Sequence, residues 1–149
     1  MRTVKQFTFT IILFLLSYPT WAYDFAAVNG ENTFFFTITS NTSPYTVKVV
    51  SENQTEPYYS DTSITPRGHL NIPSTVSHND ITYTVTAIGD YAFYYCFDII
   101  SLTIPNTIKS IGICAFLRCI GLKTISIPNS VTDIQEAAFA SCMNVNNLT

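Results

Sequence analysis

A 23-residue period relates three stretches in the second half of this chain. At each step of that period the residue type is kept at several positions, namely Ile88, Ile111 and Ile134; Ala92, Ala115 and Ala138; Phe93, Phe116 and Phe139; and Cys96, Cys119 and Cys142. Self-similarity at a fixed period is typical of repeat proteins, in which each unit buries its apolar face by stacking on a neighbour. The period therefore predicts a solenoid, and it favours a binding surface over a reaction centre.

Each unit is predicted to contain one strand and one compact return. Leu102 and Ile104 alternate with Ser101 and Thr103 at the period of a strand, so the first pair points inward and the second outward. Pro105 then ends the strand because it has no amide hydrogen. The return is compatible with a short helical or 3₁₀ turn that directs four residues inward: Ile111, Ala115, Phe116 and Cys119. One strand and one return in a unit of this length is the leucine-rich-repeat geometry.

The residues before the first full unit are predicted to form a β-rich cap. Leu70–Val76 matches Leu102–Ile108 after one period plus a nine-residue insertion, in which His78 to Asp80 predicts a turn and Ile81–Val85 a strand. This leading half-unit with its hairpin is expected to hide the first apolar face of the stack. Further upstream, 34–38 and 45–50 have the composition of a second hairpin. The predicted fold is a mainly β leucine-rich-repeat solenoid of about three repeats behind an N-terminal cap.

Residues 1–22 have the features of a secretory signal peptide. Arg2 and Lys5 precede an apolar run from Ile11 to Leu16, and Thr20 and Ala22 occupy suitable positions before a cleavage point. An uncleaved membrane anchor is the alternative, but the run is too short to span a bilayer comfortably. We therefore expect a signal peptide at 1–22, a β-rich segment at 23–66 and a repeat domain at 67–149. The mature protein would be secreted or displayed on the cell surface, without a membrane span.

The charge of the chain argues against several classes of partner. Residues 23–149 carry five Lys and Arg against ten Asp and Glu, a net charge of −5. Nucleic acids and anionic membrane surfaces both require clustered basic residues, so neither is an expected partner. The sequence also contains no Gly-x-Ser-x-Gly, no His-Glu-x-x-His and no phosphate-binding glycine-rich loop. We therefore expect a protein that is not an enzyme and needs no cofactor.

The cysteines are predicted to pack rather than to bind a metal. Cys96, Cys119 and Cys142 share one register, where small buried apolar side chains fit, and a disulfide between adjacent rungs is the alternative. There is no Cys-x-x-Cys pair, and His69 and His78 lie far upstream. The sequence therefore predicts no metal site.

The outward side of the strands is the predicted ligand-binding face. Its residues are Ser101, Thr103, Thr124, Ser126 and Asn147, with Lys123 and Asn71 at the margins. Hydroxyl and amide groups can recognise a peptide backbone or a glycan through neutral hydrogen bonds. Two alternatives remain open. These residues could simply be soluble strand formers, or binding could use exposed aromatic residues on the return side: Tyr91, Tyr94, Tyr95 and Phe97.

Over residues 68–149 the chain resembles the BspA-like bacterial leucine-rich repeats. The resemblance is carried by the run from Ile88 through Gly89, Ala92 and Phe93 to Cys96, and by Leu102-Thr103-Ile104-Pro105-Asn106. It returns in 111–119 and in Ile125–Val131. The resemblance implies a secreted or surface protein that adheres to host or microbial surface proteins or glycans. The alternative is a structural, self-associating envelope protein or a truncated repeat fragment without a specific ligand.

The last residues, Asn147-Leu148-Thr149, lie inside a unit, at the point where the next Ile-Pro is expected. A final strand in this position would leave backbone groups unpaired, and an open sheet edge invites pairing with another chain. The sequence therefore predicts self-association through an open C-terminal edge, or low stability.

Overall fold

A computed structural model describes residues 23–53, 55–56 and 58–148. The predicted signal peptide at 1–22 lies outside the described residues. The strands of the described part are β1 (Phe25–Asn29), β2 (Asn32–Ser40), β3 (Thr46–Val50), β4 (Gly68–Asn71), β5 (Thr75–His78), β6 (Ile81–Ile88), β7 (Ile99–Thr103), β8 (Ser110–Ile111), β9 (Thr124–Ser126), β10 (Asp133–Ile134) and β11 (Asn147–Leu148).

The first sheet joins the N-terminal strands to the repeats. Strands β1, β2 and β3 are antiparallel neighbours, and the sheet continues in parallel through β6, β8 and β10. Strand β5 pairs antiparallel with the first half of β6, with His78 opposite Ile81. Both hairpins predicted from the sequence are confirmed. The parallel part follows the period of the sequence, since Ile88 pairs with Ile111 and Ile111 with Ile134.

The second sheet is parallel throughout, in the order β4, β7, β9, β11. Ser101 lies opposite Thr124, and Thr124 lies opposite Asn147. Leu70 on β4 pairs with Leu102, which confirms that the leading half-unit aligns with the first full unit despite its insertion. Each full unit therefore contributes one strand to each sheet. The sequence pattern predicts one strand per unit and gives no signal for the two-residue strands β8 and β10.

The apolar core lies between the two sheets and contains a ladder of phenylalanine rings. Phe93 stacks on Phe116 and Phe116 on Phe139, with ring centroids 5.0 Å apart in both pairs. At the other end of the ladder, Phe34 of β2 packs edge-on against Phe93 at 6.3 Å. Because Phe34, Phe93 and Phe116 are at most 1% exposed, the N-terminal strands close the ladder as another unit would.

The N-terminal cover is broader than the leading half-unit alone. Val47 and Val49 of β3 are fully buried in the same core as Val85 and Ile88 of β6. Tyr59, in the loop between β3 and β4, donates a hydrogen bond from its hydroxyl to the carbonyl oxygen of Ala92. The first apolar face is thus hidden by β2, β3 and this loop as well as by the hairpin of β5 and β6.

The prediction of short helical or 3₁₀ returns is wrong for the described residues, whose returns are turns without a helix. Each return contains two left-handed residues, four positions apart. These pairs are Tyr91 and Tyr95, Cys114 and Arg118, and Ala137 and Ser141, all with φ between 53° and 61°. Positive φ interrupts a right-handed helix.

Alternate amides of the return also point away from their own unit. Tyr91, Phe93 and Tyr95 donate to the carbonyls of Ile113, Ala115 and Leu117 in the next unit, at 2.7–3.0 Å. The residues between them close short turns within the unit, as from the Tyr94 amide to the Tyr91 carbonyl. Because these amides donate to the next unit, they are not available for the hydrogen bonds of a continuous helix.

Candidate functional site

The outer surface of the second sheet, called the strand face below, carries all five predicted site residues. Together with His69 and Asn71 of β4 they form two rows across the strands: His69, Ser101, Thr124 and Asn147 in one, and Asn71, Thr103 and Ser126 in the other. Adjacent strands of a sheet lie about 4.8 Å apart, so each row presents a polar group at that interval. Thr103 and Asn147 are exposed, whereas Leu102 and Ile125 between the rows are buried. The predicted inward and outward alternation is confirmed.

His69 extends the first row by one strand. Its Nδ1 lies 2.7 Å from Oγ of Ser101, and its side chain is exposed. From the sequence, His69 is considered for a metal site and rejected because it lies far upstream of the cysteines, and it is not assigned to the strand face. The alignment of Leu70 with Leu102 contained the signal, because it puts His69 in register with Ser101.

A small pocket lies at the N-terminal end of the strand face. Its volume is about 280 Å³, and the turn between β1 and β2 forms one wall while β4 forms the other. Nδ2 of Asn29 donates to the carbonyl oxygen of Asn71 at 2.9 Å and fixes this turn against the strand. The lining is mostly polar, with Glu31 and His69 as its ionisable members. This pocket gives the strand face a concave end.

Exposed apolar residues border the strand face on the side where its strands begin. Phe97, Ile120 and Met143 occupy one position in three successive units and are 45%, 43% and 80% exposed. Ile100, next to Ser101, is 43% exposed. The 23-residue period already relates the first three positions. Exposure was predicted for Phe97 alone, and the structure extends it to Ile120 and Met143.

The aromatic residues named as an alternative site lie on the returns, where they form a cluster with Tyr58. Tyr58 stacks on Tyr91 with centroids 5.2 Å apart and an angle of 6° between the rings. Tyr94 packs edge-on against both, at 5.0 Å and 5.6 Å. Tyr95 lies 4.3 Å from Tyr94 and continues the cluster. These rings are half-buried.

A cleft of about 550 Å³ opens beside this cluster and is called the tyrosine cleft below. It is lined by Glu56, Tyr58, Tyr59, Thr65, Tyr94 and Tyr95. Partial desolvation raises the pKa of Tyr94 above its usual value, and hydrogen bonds with Tyr95 and the Glu56 carboxylate add to this effect. Desolvation, together with the charges of Tyr91 and Glu56, also raises the pKa of Tyr58. A carboxylate and phenol rings therefore meet in one solvent-accessible recess.

The cysteines occupy the core position that the sequence analysis assigned to them. Cys96 and Cys119 are fully buried, Cys142 is partly buried, and Cys114 lies in a separate, half-exposed position. Burial raises the pKa of the Cys96 thiol. Over residues 23–53, 55–56 and 58–148, no group of three or more His, Cys, Asp or Glu side chains could hold a metal ion.

Three solved structures resemble this chain. A leucine-rich repeat protein from Bacteroides ovatus ATCC 8483 is 31% identical, with a TM-score of 0.62 over 85% of this chain. A leucine rich cell surface protein from Faecalibacterium prausnitzii A2-165 is 26% identical, with a TM-score of 0.56 over 83%. The chain spans less than a third of each of these proteins, 29% and 30%. A leucine-rich repeat protein from Bacteroides capillosus ATCC 29799 shares the fold at 21% identity and a TM-score of 0.50, with 83% of this chain and 96% of that chain covered.

No curated protein matches the chain. Within the described part of the chain, no helix has the length and apolar character needed to cross a membrane.

The repeats identify the family. Residues 68–149, more than half of the chain, match six copies of the BspA type leucine rich repeat region. The fold is mainly β and its units pair at the period of the sequence repeat, so the chain belongs to the BspA-type leucine-rich-repeat family.

Proposed function

We propose that this chain is a non-enzymatic adhesion module, secreted or displayed on the bacterial surface, that recognises host or microbial surface proteins or glycans through the strand face. Its units would stack as a short solenoid of about three repeats behind the N-terminal cap. Leucine-rich repeats generally act as protein-interaction modules, which supports a binding role. The cell-surface designation of the Faecalibacterium neighbour and the predicted signal peptide support the location.

The observation that carries the proposal is the register of the polar rows. Ser101, Thr124 and Asn147 repeat at strand spacing, and every side chain in the rows can both donate and accept hydrogen bonds. Groups of this kind recognise peptide backbones and sugar hydroxyls, whose donors and acceptors are also neutral. The apolar border of Phe97, Ile100 and Ile120 would supply the buried contact that polar groups alone lack.

A binding screen with matched variants tests this function. The full mature protein would be measured against immobilised extracellular-matrix proteins, plasma proteins and glycans, with its molar mass determined in parallel. The test variant combines Thr103→Ala, Thr124→Ala and Ser126→Ala. The control combines Asn106→Ala and Asn129→Ala, two exposed residues that share one repeat position outside the strands. Three hydrogen bonds at about 1 kcal/mol each predict a loss of affinity of about a hundredfold for the test variant alone.

The outcomes separate the alternatives. Equal affinity of both variants for a ligand of the parent protein would exclude the strand face as the site. A folded protein of defined mass that binds nothing in the screen would overturn the adhesion function. In that case, growth of the molar mass with concentration would favour the structural, self-associating alternative.

A further inference from the structure

The aromatic residues of the first unit exceed what the repeat requires. Core positions are kept at 23-residue steps, but the positions of Tyr91, Tyr94 and Tyr95 are not. The second unit has Cys114, Leu117 and Arg118 there, and the third unit has Ala137, Ala140 and Ser141. The backbone is nevertheless the same, with positive φ at the first and third of these positions in every unit. The turn therefore does not need tyrosines, and their concentration in one unit calls for another explanation.

The tyrosine rings form a corner beside an open recess. Tyr58 and Tyr94 meet at an angle of 69°, with centroids 5.0 Å apart, and both line the tyrosine cleft. Tyr91 stacks behind Tyr58 and fixes the orientation of its ring. The face of a tyrosine ring attracts an organic cation, because it carries the negative end of the ring quadrupole. The volume of about 550 Å³ would admit a long side chain together with part of its backbone.

The charge of the cleft agrees with a cationic occupant. Glu56 is exposed at the rim and forms hydrogen bonds with the hydroxyl of Tyr94. A cation that entered the cleft could pair with this carboxylate. The cluster already holds one cation on a ring, since Cζ of Arg118 lies 5.1 Å from the centroid of Tyr95. The net charge of −5 over residues 23–149 also favours the approach of a basic partner.

We propose that the tyrosine cleft is a second binding site, which takes a lysine or arginine side chain from a basic segment of a partner protein. The side chain would enter the cleft and lie against the rings of Tyr58 and Tyr94, and its charged end would pair with the Glu56 carboxylate. The site shares no residue with the strand face. The proposed adhesion function and this second site can therefore be tested, and refuted, independently.

The test uses a ten-residue lysine peptide and the same peptide acetylated on every side-chain amine. Binding to the full mature protein would be measured at about 150 mM salt, which screens contacts between exposed charges. The variants are Tyr94→Leu, which installs the residue that the next unit has at this position, and Glu56→Gln. Glu136→Gln is the control for charge, because Glu136 is an exposed carboxylate of the third unit.

Tyr94→Leu and Glu56→Gln are each expected to weaken binding of the lysine peptide about tenfold. Glu136→Gln should leave the affinity within about twofold of the parent, and the acetylated peptide should not bind. Equal losses for Glu56→Gln and Glu136→Gln, together with no effect of Tyr94→Leu, would show unspecific charge attraction and overturn the proposal. Binding of the acetylated peptide as tightly as the charged one would also overturn it. Thermal unfolding of each variant identifies a loss that arises from misfolding, and Glu56→Gln, at an exposed position, keeps the test valid if Tyr94→Leu does not fold.

Discussion

The thiol of Cys119 donates a hydrogen bond to the carbonyl oxygen of Phe93, 3.1 Å away in the preceding unit. Cys142 makes the same bond to Phe116, also at 3.1 Å. The cysteine of each of these units therefore ties its own return to the phenylalanine turn of the unit before it. A small apolar side chain with one weak donor meets both demands of this position, burial and a carbonyl partner. This double role explains why cysteine recurs at the position.

The burial of these thiols predicts a two-stage reactivity. Cys114 and Cys142, which are partly exposed, should react with an alkylating reagent in the folded protein at neutral pH. Cys96 and Cys119 should react only on unfolding, because both thiols are fully buried and burial raises the pKa of the Cys96 thiol. Mass spectrometry after timed alkylation, with and without denaturant, would measure this order. Modification of Cys119 as fast as Cys114 in the native protein would contradict it.

Tyr59 is expected to anchor the N-terminal cover to the repeats. Its hydroxyl donates to the carbonyl of Ala92, a fully buried residue, so Tyr59→Phe leaves that buried carbonyl without its partner. We expect a loss of about 1 kcal/mol in the free energy of unfolding, measured by denaturant titration. Tyr45→Phe is the control, because the Tyr45 ring packs edge-on against Tyr83 at 5.8 Å and the substitution keeps that contact. Equal effects of the two substitutions would contradict the anchoring role.

The same residue predicts a loss of stability at alkaline pH. Burial raises the pKa of Tyr59 well above 10, with the neighbouring Cys96 and Cys119 adding to the effect. Below pH 10 the Tyr59 hydroxyl keeps its proton in both the folded and the unfolded chain, so its contribution to the free energy of unfolding is fully present. Above pH 10 the unfolded chain releases the proton first, so stability falls as pH rises toward the folded-state pKa, by about 1.4 kcal/mol per pH unit for one group. Denaturant titrations between about pH 8 and 11 should show a shallower fall for Tyr59→Phe than for the parent, and parallel curves would refute this assignment.

The repeat period made most of the core and the strand face predictable. Identical residues such as Phe93, Phe116 and Phe139 must occupy equivalent places, and alternation around Leu102 fixes which neighbours face outward. The returns could not be read in this way. An inward residue such as Ala115 fits a helical turn as well as the observed one, and the choice depends on amides that bond to the next unit. Such long-range pairing leaves no local signal in the sequence.

The repeat period made the strand face predictable but not the tyrosine cleft. The rows of the strand face follow from the period, and the alignment of Leu70 with Leu102 extends it to His69. The tyrosine cleft does not follow from it, because Glu56 and Tyr58 belong to a loop outside the repeats. The tyrosines of the return were recognised as a candidate surface, but their partner across the cleft could be identified only from the folded chain.

The left-handed positions of the returns predict a stabilising glycine substitution. Ala137 is exposed and has φ of 54°, a conformation that costs a residue with a Cβ about 1–2 kcal/mol and costs glycine nothing. The greater freedom of the unfolded chain destabilises a glycine variant by about 0.5–1 kcal/mol, so Ala137→Gly should raise the free energy of unfolding by up to about 1.5 kcal/mol. Ala140→Gly is the matched control in the same return, because Ala140 is not among the residues with positive φ. There only the entropic cost applies, and the substitution should destabilise by about 0.5–1 kcal/mol. Opposite signs for the two variants in denaturant titrations would establish that the turn sets the backbone conformation, whereas equal destabilisation would show that the return at Ala137 relaxes to negative φ in solution.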